Sequence, residues 1–266
     1  MLLPRKIGSI YYDLAGPESG PVVCLSHALA ADSGMWAEQV PALLDAGFRV
    51  LRVDMRGHGG SAAVEGVYNM DDLAGDVLAV VDALGIRQFH FIGLSIGGMF
   101  GQTLGIKQGS RLKSLMLCNT SPSSPADSKE RWGPRVAAVR QENSLRPVAD
   151  ATMARWVTDS FREKRASRWQ QIYDTVIGTT PQGYIGCATA IQNFDYTGDL
   201  KSIKTPAMLL FGVADANVVS GAARQIAGLL PNGRYEEIGA GARHLPNVEF
   251  PEIFNGLMTG WLKSHA

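Results

Sequence analysis

The chain has 266 residues, 45% of them hydrophobic and 19% charged, and its 25 basic and 25 acidic residues give a formal net charge of zero. This composition is typical of a folded globular protein and excludes a disordered chain. A neutral chain has no electrostatic attraction for nucleic acids or anionic membranes, so we expect neither as a partner.

The strands and helices up to Cys118 alternate along the chain. We predict strands over 7–14, 21–26, 48–53, 89–94 and 114–118, and helices over 35–44, 71–84 and 96–107. The apolar positions within 71–84 recur at helical spacing. Strands that alternate with helices predict a mostly parallel sheet with helices on both faces.

This alternation stops after Asn119. A linker rich in Pro and Ser at 122–125 leads into a segment without a convincing strand but with helical stretches over 132–140, 149–161 and 168–177. The alternation resumes with a strand over 206–212, a helix over 221–230, a strand over 234–238 and a helix over 249–263. The sequence therefore predicts an α/β core formed by 1–121 and 197–266, interrupted by a helical cap at 122–196.

Two features bear on location and cofactors. The three cysteines are far apart, which argues against a disulfide framework and against a thiolate zinc site. The N-terminus lacks the successive basic, apolar and small-residue regions of a signal peptide, and no apolar run approaches the roughly 20 residues that span a bilayer. We expect a cytoplasmic protein with buried cysteines and no metal. The oligomeric state stays open, a homo-oligomer included.

The most informative motif is Gly-Leu-Ser-Ile-Gly at 93–97, which fits the pattern G-x-S-x-G. A predicted strand ends just before Ser95, and a predicted helix begins at Ile96. A serine on such a sharp turn exposes its Oγ, and the two glycines let chain segments approach where a Cβ would clash. We predict that Ser95 is a catalytic nucleophile.

A serine hydroxyl needs a general base, and the base needs an orienting group. Nucleophiles on this kind of turn are followed along the chain first by an acid and then by a histidine. Asp215 follows the strand that resumes the sheet, and His244 follows the next one. Asp195 and Asp199 are alternative acids, but they precede the resumed sheet, and we expect them at the cap hinge or on the surface.

The oxyanion that forms during acyl transfer needs two N–H donors. The start of the helix after Ser95 offers the N–H of Ile96. The loop after the strand at 21–26 reads His-Ala-Leu-Ala at 27–30 and offers the N–H of Leu29. We predict Leu29 and Ile96 as the backbone donors of an oxyanion hole.

These motifs resemble the α/β-hydrolase superfamily and, within it, the 3-oxoadipate enol-lactonase group. The similar stretches are 52–59, 93–99, 117–120 and 244–249 in the core, and 130–135, 154–157 and 183–187 in the cap. The likeness extends along nearly the whole chain. One stretch departs, because the group usually has Asn-Ser-Leu-Gly where this chain has His-Ala-Leu-Ala at 27–30.

The resemblance implies an α/β-hydrolase fold and a serine hydrolase that cleaves a small-molecule ester or lactone without a metal or organic cofactor. It implies that Arg135 pairs with a substrate carboxylate and that Trp132 and Trp156 line the pocket. It also places His27 and Ala28 beside the scissile carbonyl, as substrate contacts. The alternatives are a solvated helix arginine for Arg135 and the core of the cap for the tryptophans.

Several other functions stay open at this point. A carboxylated enol-lactone is the first substrate class, another lactone or a simple ester the second, and a carbon–carbon bond the third. A perhydrolase-like esterase or a non-catalytic receptor could carry the same three residues. Residues 57–62 match a nucleotide-binding fingerprint after a strand, but they do not lead promptly into a helix that could seat pyrophosphate.

Overall fold

The computed structural model describes residues 1–216, 221–239 and 241–266. The strands in these residues are β1 (Leu2–Leu3), β2 (Ile10–Ala15), β3 (Val22–Ser26), β4 (Arg49–Val53), β5 (Phe89–Leu94), β6 (Leu112–Cys118), β7 (Ala207–Gly212) and β8 (Gly233–Ile238). They form one sheet in the order β1-β2-β4-β3-β5-β6-β7-β8. β2 pairs antiparallel with β1 and β4, and the other pairings are parallel. The predicted, mostly parallel sheet is confirmed.

The central strands position the loops that follow them. Every residue of β3, β5 and β7 is buried, as expected of apolar strands that are covered on both faces. β3, β5, β6 and β7 are consecutive neighbours and run parallel. Their carboxyl ends therefore lie along one edge of the sheet, where ligands bind in open α/β folds.

The helices of the described residues are α1 (Gln39–Asp45), α2 (Met70–Ala83), α3 (Ile96–Gln108), α4 (Ser128–Glu142), α5 (Arg146–Trp156), α6 (Asp159–Lys164), α7 (Ala166–Gly178), α8 (Pro181–Gln192), α9 (Ala222–Leu229), α10 (Pro246–Glu249) and α11 (Pro251–Lys263). Five of them, α4 to α8, follow one another between β6 and β7. Ser123 and Asp195 form an isolated antiparallel bridge near the two ends of this insertion. The boundaries of the cap at 122–196 stay a prediction.

Three predicted helices are divided in the structure. The segment that we predict as a helix over 35–44 forms a 3-10 turn at Ser33–Trp36 followed by α1. The prediction over 149–161 breaks after Trp156, because Val157 is extended and Thr158 caps α6 by accepting from the N–H of Phe161. The prediction over 249–263 breaks before Pro251, which starts α11.

The loop after β4 supports the cap directly. Gly57 has a φ of 75°, and its carbonyl accepts hydrogen bonds from the N–H and the hydroxyl of Thr180, at 3.1 and 2.8 Å. A Cβ added to Gly183, in the first turn of α8, would lie 2.6 Å from the Cα of Gly57. Two backbones thus meet where a side chain does not fit. Residues 57–62 remain a loop, and the next helix begins only at Met70, so this segment does not form a nucleotide-binding turn.

The contact between Gly57 and Gly183 gives a stability prediction. Gly183→Ala pushes a methyl group against backbone, and we expect it to lower the free energy of unfolding by about 1–3 kcal/mol. Gly178→Ala is the matched control at the end of α7, since a Cβ there meets nothing within 4 Å. Urea unfolding of both variants measures the difference, and equal midpoints would show that the cap does not depend on this contact.

Two buried imidazoles lie beneath the loops after β3 and β4. The Nδ1–H of His27 donates to the carbonyl of Ala28 at 2.8 Å, and its Nε2 accepts from the N–H of Met55 at 3.0 Å. The ring of His58 lies 5.4 Å from that of His27 between centroids, and its Nδ1–H donates to the carbonyl of Arg56. Burial, together with the neighbouring His27, lowers the pKa of His58 from 6.5 to about 3.

This shift predicts acid sensitivity. Between pH 6.5 and 3 the unfolded chain binds a proton at His58 that the folded chain does not bind, so folding stability falls as the pH falls. One such proton contributes a slope of about 1.4 kcal/mol per pH unit. We expect His58→Gln to reduce the pH slope of the unfolding free energy by about this amount between pH 6 and 4. An unchanged slope in denaturant titrations at these pH values would contradict the assignment.

Candidate active site

Ser95 occupies a strained turn between β5 and α3. Its backbone has φ 58° and ψ −119°, a left-handed conformation that residues with a Cβ rarely adopt. The N–H of Ser95 donates to the carbonyl of Cys118 at 2.8 Å, and the hydroxyl of Thr120 donates to the carbonyl of Ser95 at 2.9 Å. These contacts hold the turn that the motif predicts.

The two glycines of the motif are required by close contacts. A Cβ on Gly93 would lie 2.2 Å from the carbonyl oxygen of Gly97, and a Cβ on Gly97 would lie 2.6 Å from the carbonyl oxygen of Ser26. The first contact closes the turn on itself, and the second packs the start of α3 against the end of β3. The spacing of the motif therefore serves to bring Ser95 to the edge of the sheet.

His244 and Asp215 meet at the same edge. The Nδ1 of His244 lies 2.7 Å from the Oδ2 of Asp215, and their side chains are 6% and 2% exposed. The loops that carry them are in contact at Gly212, the last residue of β7, where a Cβ would lie 2.4 Å from the carbonyl oxygen of Arg243. The two side chains that are far apart in the sequence thus form one buried pair.

Asn119, which the sequence analysis leaves without a role, supports this pair. Its Nδ2 donates to the Oδ2 of Asp215 at 2.7 Å, and its own N–H donates to the carbonyl of Leu210 at 3.1 Å. The backbone of Asn119 is left-handed, with φ 45°, which asparagine tolerates better than most residues. The amide of Asn119 therefore helps to hold the Asp215 carboxylate in place beside His244.

One cavity of about 290 Å³ contains Ser95 and His244 in its wall. It also brings together four other predicted residues, Leu29, Trp132, Arg135 and Trp156. The ring of Trp132 lies 5.2 Å below the guanidinium of Arg135. The volume is close to the lower end of the range for small-molecule sites, about 300 Å³.

Two predicted substrate contacts are not in this wall. His27 is fully buried, and both of its ring nitrogens are bonded to backbone atoms, so the ring supports the loop instead of facing the cavity. Ala28 is also buried, with 1% of its surface exposed. His27 and Ala28 are therefore not among the residues that line this cavity, because the loop turns at Ala30, with φ 64°, and presents Leu29 instead. Their contact with substrate stays a prediction.

The alternative acids lie away from His244. Asp195 belongs to the bridge with Ser123, and its Oδ1 accepts from the N–H of Thr197 at 2.9 Å, which lowers its pKa. Asp199 precedes the 3-10 turn at Leu200–Ser202. Neither is the partner of the histidine.

Several side chains of the cavity are absent from the sequence predictions, and two of them have shifted pKa values. Arg155, on α5, and Tyr184, on α8, both line it. Burial, reinforced by the charge of Arg135, lowers the pKa of Arg155, and burial raises the pKa of Tyr184. Both belong to the cap, where periodicity alone does not separate residues that face a cavity from residues that face the core.

Within the described residues, no three His, Cys, Asp or Glu side chains gather in an arrangement that could hold a metal ion. No helix in the same ranges is both long and apolar enough to cross a membrane.

The chain is similar to known hydrolases over its whole length. The family model of the alpha/beta hydrolase fold matches residues 21–251. The chain is 32% identical to 3-oxoadipate enol-lactonase 1 from Acinetobacter baylyi, covering 99% of this chain and 97% of that protein. It is 27% identical to a putative carbamate hydrolase RutD from Pantoea ananatis, covering 97% and 94%.

A solved structure is also similar to this chain over its whole length. The enol-lactonase from Burkholderia xenovorans LB400 superposes with a TM-score of 0.94 at 33% identity, covering 99% of this chain and 100% of that one. The predicted superfamily and the prediction of an enzyme are thus confirmed. On sequence and on fold, this chain belongs to the α/β-hydrolase family, in the part of it that includes enol-lactonases, and it is a hydrolase.

Proposed function

We propose that this protein hydrolyses a carboxylic ester or lactone through an acyl-enzyme on Ser95, with His244 as general base and Asp215 as its orienting acid. The observation that carries the proposal is the 2.7 Å contact between His244 Nδ1 and Asp215 Oδ2, in a cavity that Ser95 also lines. This contact keeps a proton on Nδ1, so that Nε2 can accept the proton of the serine.

The reaction has two halves. Ser95 Oγ transfers its proton to His244 Nε2 and forms a bond to the carbonyl carbon, while the negative charge on the carbonyl oxygen is stabilised by the N–H groups of Leu29 and Ile96. The bond between the carbonyl carbon and the leaving oxygen then breaks, and His244 gives its proton to the leaving group, which restores the neutral imidazole. Water then transfers a proton to His244 and attacks the acyl carbon. The bond to Ser95 Oγ breaks as His244 returns this proton to Oγ, and the free acid is released.

Within this class we favour an enol-lactone. Its leaving oxygen belongs to an enol that tautomerises to a ketone, so the leaving group requires little proton donation. The similarity to two enol-lactonases over nearly their whole lengths supports this choice. The sequence at 27–30 differs from that of the enol-lactonase group. Two of these residues, His27 and Ala28, are buried and do not line the cavity, so the difference does not change the cavity wall at those two positions. A simple ester, a carbamate and a carbon–carbon bond are the competing substrates.

The substrate prediction is tested with purified enzyme. We expect a kcat/KM of about 10⁴ M⁻¹s⁻¹ or more on 3-oxoadipate enol-lactone, which is the ordinary enzymatic range. Ser95→Ala should reduce it by at least about 10³-fold, because the nucleophile is lost. Turnover of a p-nitrophenyl ester or a carbamate but not of the lactone would move the protein to a competing substrate. Activity that survives in Ser95→Ala would refute the mechanism.

The role of the acid gives a separate prediction. Asp215→Asn keeps the size of the side chain but no longer fixes the histidine proton on Nδ1, and we expect kcat to fall by about 10³–10⁴-fold. Asp195→Asn is the matched control, since that carboxylate is a rejected alternative acid, and we expect its kcat to stay near that of the unmodified enzyme. Equal losses in the two variants would remove Asp215 from the triad.

A further inference from the structure

The cavity contains a cation that lacks a carboxylate partner. Arg155 lies on α5, and among the described residues no carboxylate comes within 4 Å of its guanidinium. Its Nε is buried and has no hydrogen-bond acceptor in the described part of the chain. Two other shielded arginines differ, because Arg56 is paired with Asp76 and Arg168 with Glu38. A buried charge is costly unless it is paired, so Arg155 differs from an arginine placed for stability.

The guanidinium of Arg155 is held in place from within its own helix. Its Nη2 donates to the hydroxyl oxygen of Thr152 at 3.1 Å, and this hydroxyl donates in turn to the carbonyl of Val148 at 2.7 Å. The side chain is therefore oriented before any ligand binds, while its buried Nε–H has no acceptor among the described residues. Arg135 lines the same cavity and adds positive charge. An oriented, desolvated guanidinium suits the two oxygens of a carboxylate.

The position of Arg155 relative to the catalytic histidine is also fixed. Arg243 Nη1 donates to the carbonyls of Ala154 and Val157, at 2.7 and 2.8 Å. The N–H of Leu245 donates to the carbonyl of Trp156 at 3.1 Å. The residues on either side of His244 are thus bonded to the residues around Arg155. A group bound at Arg155 and a carbonyl under attack at Ser95 are held at a set separation.

We propose that Arg155 binds a carboxylate of the substrate, so that the enzyme selects esters or lactones whose scissile carbonyl and carboxylate are separated by one preferred length. This inference rests on the proposed function and adds the charge and reach of the substrate to it. Arg135 contributes to the positive electrostatic potential of the cavity. Arg155 is the residue that discriminates between a charged and a neutral ligand.

The experiment compares substrates that differ only in charge. Monoethyl esters of succinic, glutaric and adipic acid are assayed against analogues in which the carboxylate is replaced by a carboxamide. We expect one chain length to be preferred and, at that length, a kcat/KM ratio of carboxylate to carboxamide of about tenfold or more, as for a hydrogen bond to a charged group. In Arg155→Gln the ratio should fall to near one, with the carboxamide rate within about threefold of the unmodified enzyme.

The matched control is Arg131→Gln. Arg131 lines the same cavity, but its charge already lies 3.5 Å from the Asp127 carboxylate. We expect this variant to keep the charge preference of the unmodified enzyme. Equal losses in the two variants would show that the overall field of the cavity selects anions, and an unchanged ratio in Arg155→Gln would show that Arg155 does not bind the carboxylate. Either result overturns the proposal, as does the absence of a charge preference at every length.

A binding measurement separates this proposal from the proposed function. Calorimetric titration of the same ester pairs into Ser95→Ala, with and without Arg155→Gln, needs no turnover. If the unmodified enzyme hydrolyses none of the esters but Ser95→Ala binds the carboxylate form in an Arg155-dependent way, the carboxylate site stands and the hydrolytic assignment fails. If binding does not depend on Arg155, the site is refuted even where hydrolysis is observed. Unfolding midpoints of all variants verify that each is folded.

Discussion

The left-handed backbone of Ser95 is the constraint on which the arrangement of the site depends. A residue with a Cβ takes this conformation only where the surroundings leave it little choice, and here the surroundings are the end of β6 and the flanking glycines. Gly97 must lie against the carbonyl of Ser26 for the turn to close. The same contact fixes the end of β3, from which the Leu29 loop emerges. Ser95 and one wall of the cavity are therefore held in place by the same contact.

The charges around the cavity are divided between its two sides. The sheet side contributes the Asp215 carboxylate, which is shielded from solvent and bonded to His244 and Asn119. The cap side contributes the guanidinium groups of Arg131, Arg135 and Arg155. The anionic substrate that we propose would be attracted to the cap and kept from Asp215. This distribution of charge fits the proposed substrate, which has a negative group at one end and a reactive carbonyl at the other.

Much of the sheet side of the cavity could be predicted from the sequence, because the sequence patterns that indicate it are local. The apolar run before Ser95, the glycines around it and the chain order of Asp215 and His244 all reflect short-range rules for strand ends. The contribution of Asn119 could not be predicted, since its partner Asp215 is 96 residues away.

The loop at 27–30 and the cap were harder to predict for a different reason. In the loop, the positive φ of Ala30 decides which side chain faces the cavity, and a non-glycine residue gives no sequence signal of that conformation. In the cap, the break at Val157 separates two helices that periodicity joins into one. The inward direction of Arg155, near the end of α5, becomes evident only when that helix is placed against the histidine loop.

The bonds between the histidine loop and α5 have a consequence for ligand exchange. Arg243 and Leu245 donate to the end of α5, and Glu249 accepts from the N–H and the hydroxyl of Thr158 just beyond it. A movement that carried α5 away from the sheet would break these bonds or take His244 with it. His244, the proposed general base, would then be out of reach of Ser95 whenever the cavity was widened on this side. In the proposed mechanism, water that enters by that route would meet an acyl-enzyme without its base, so hydrolysis and product release would occur in separate conformations.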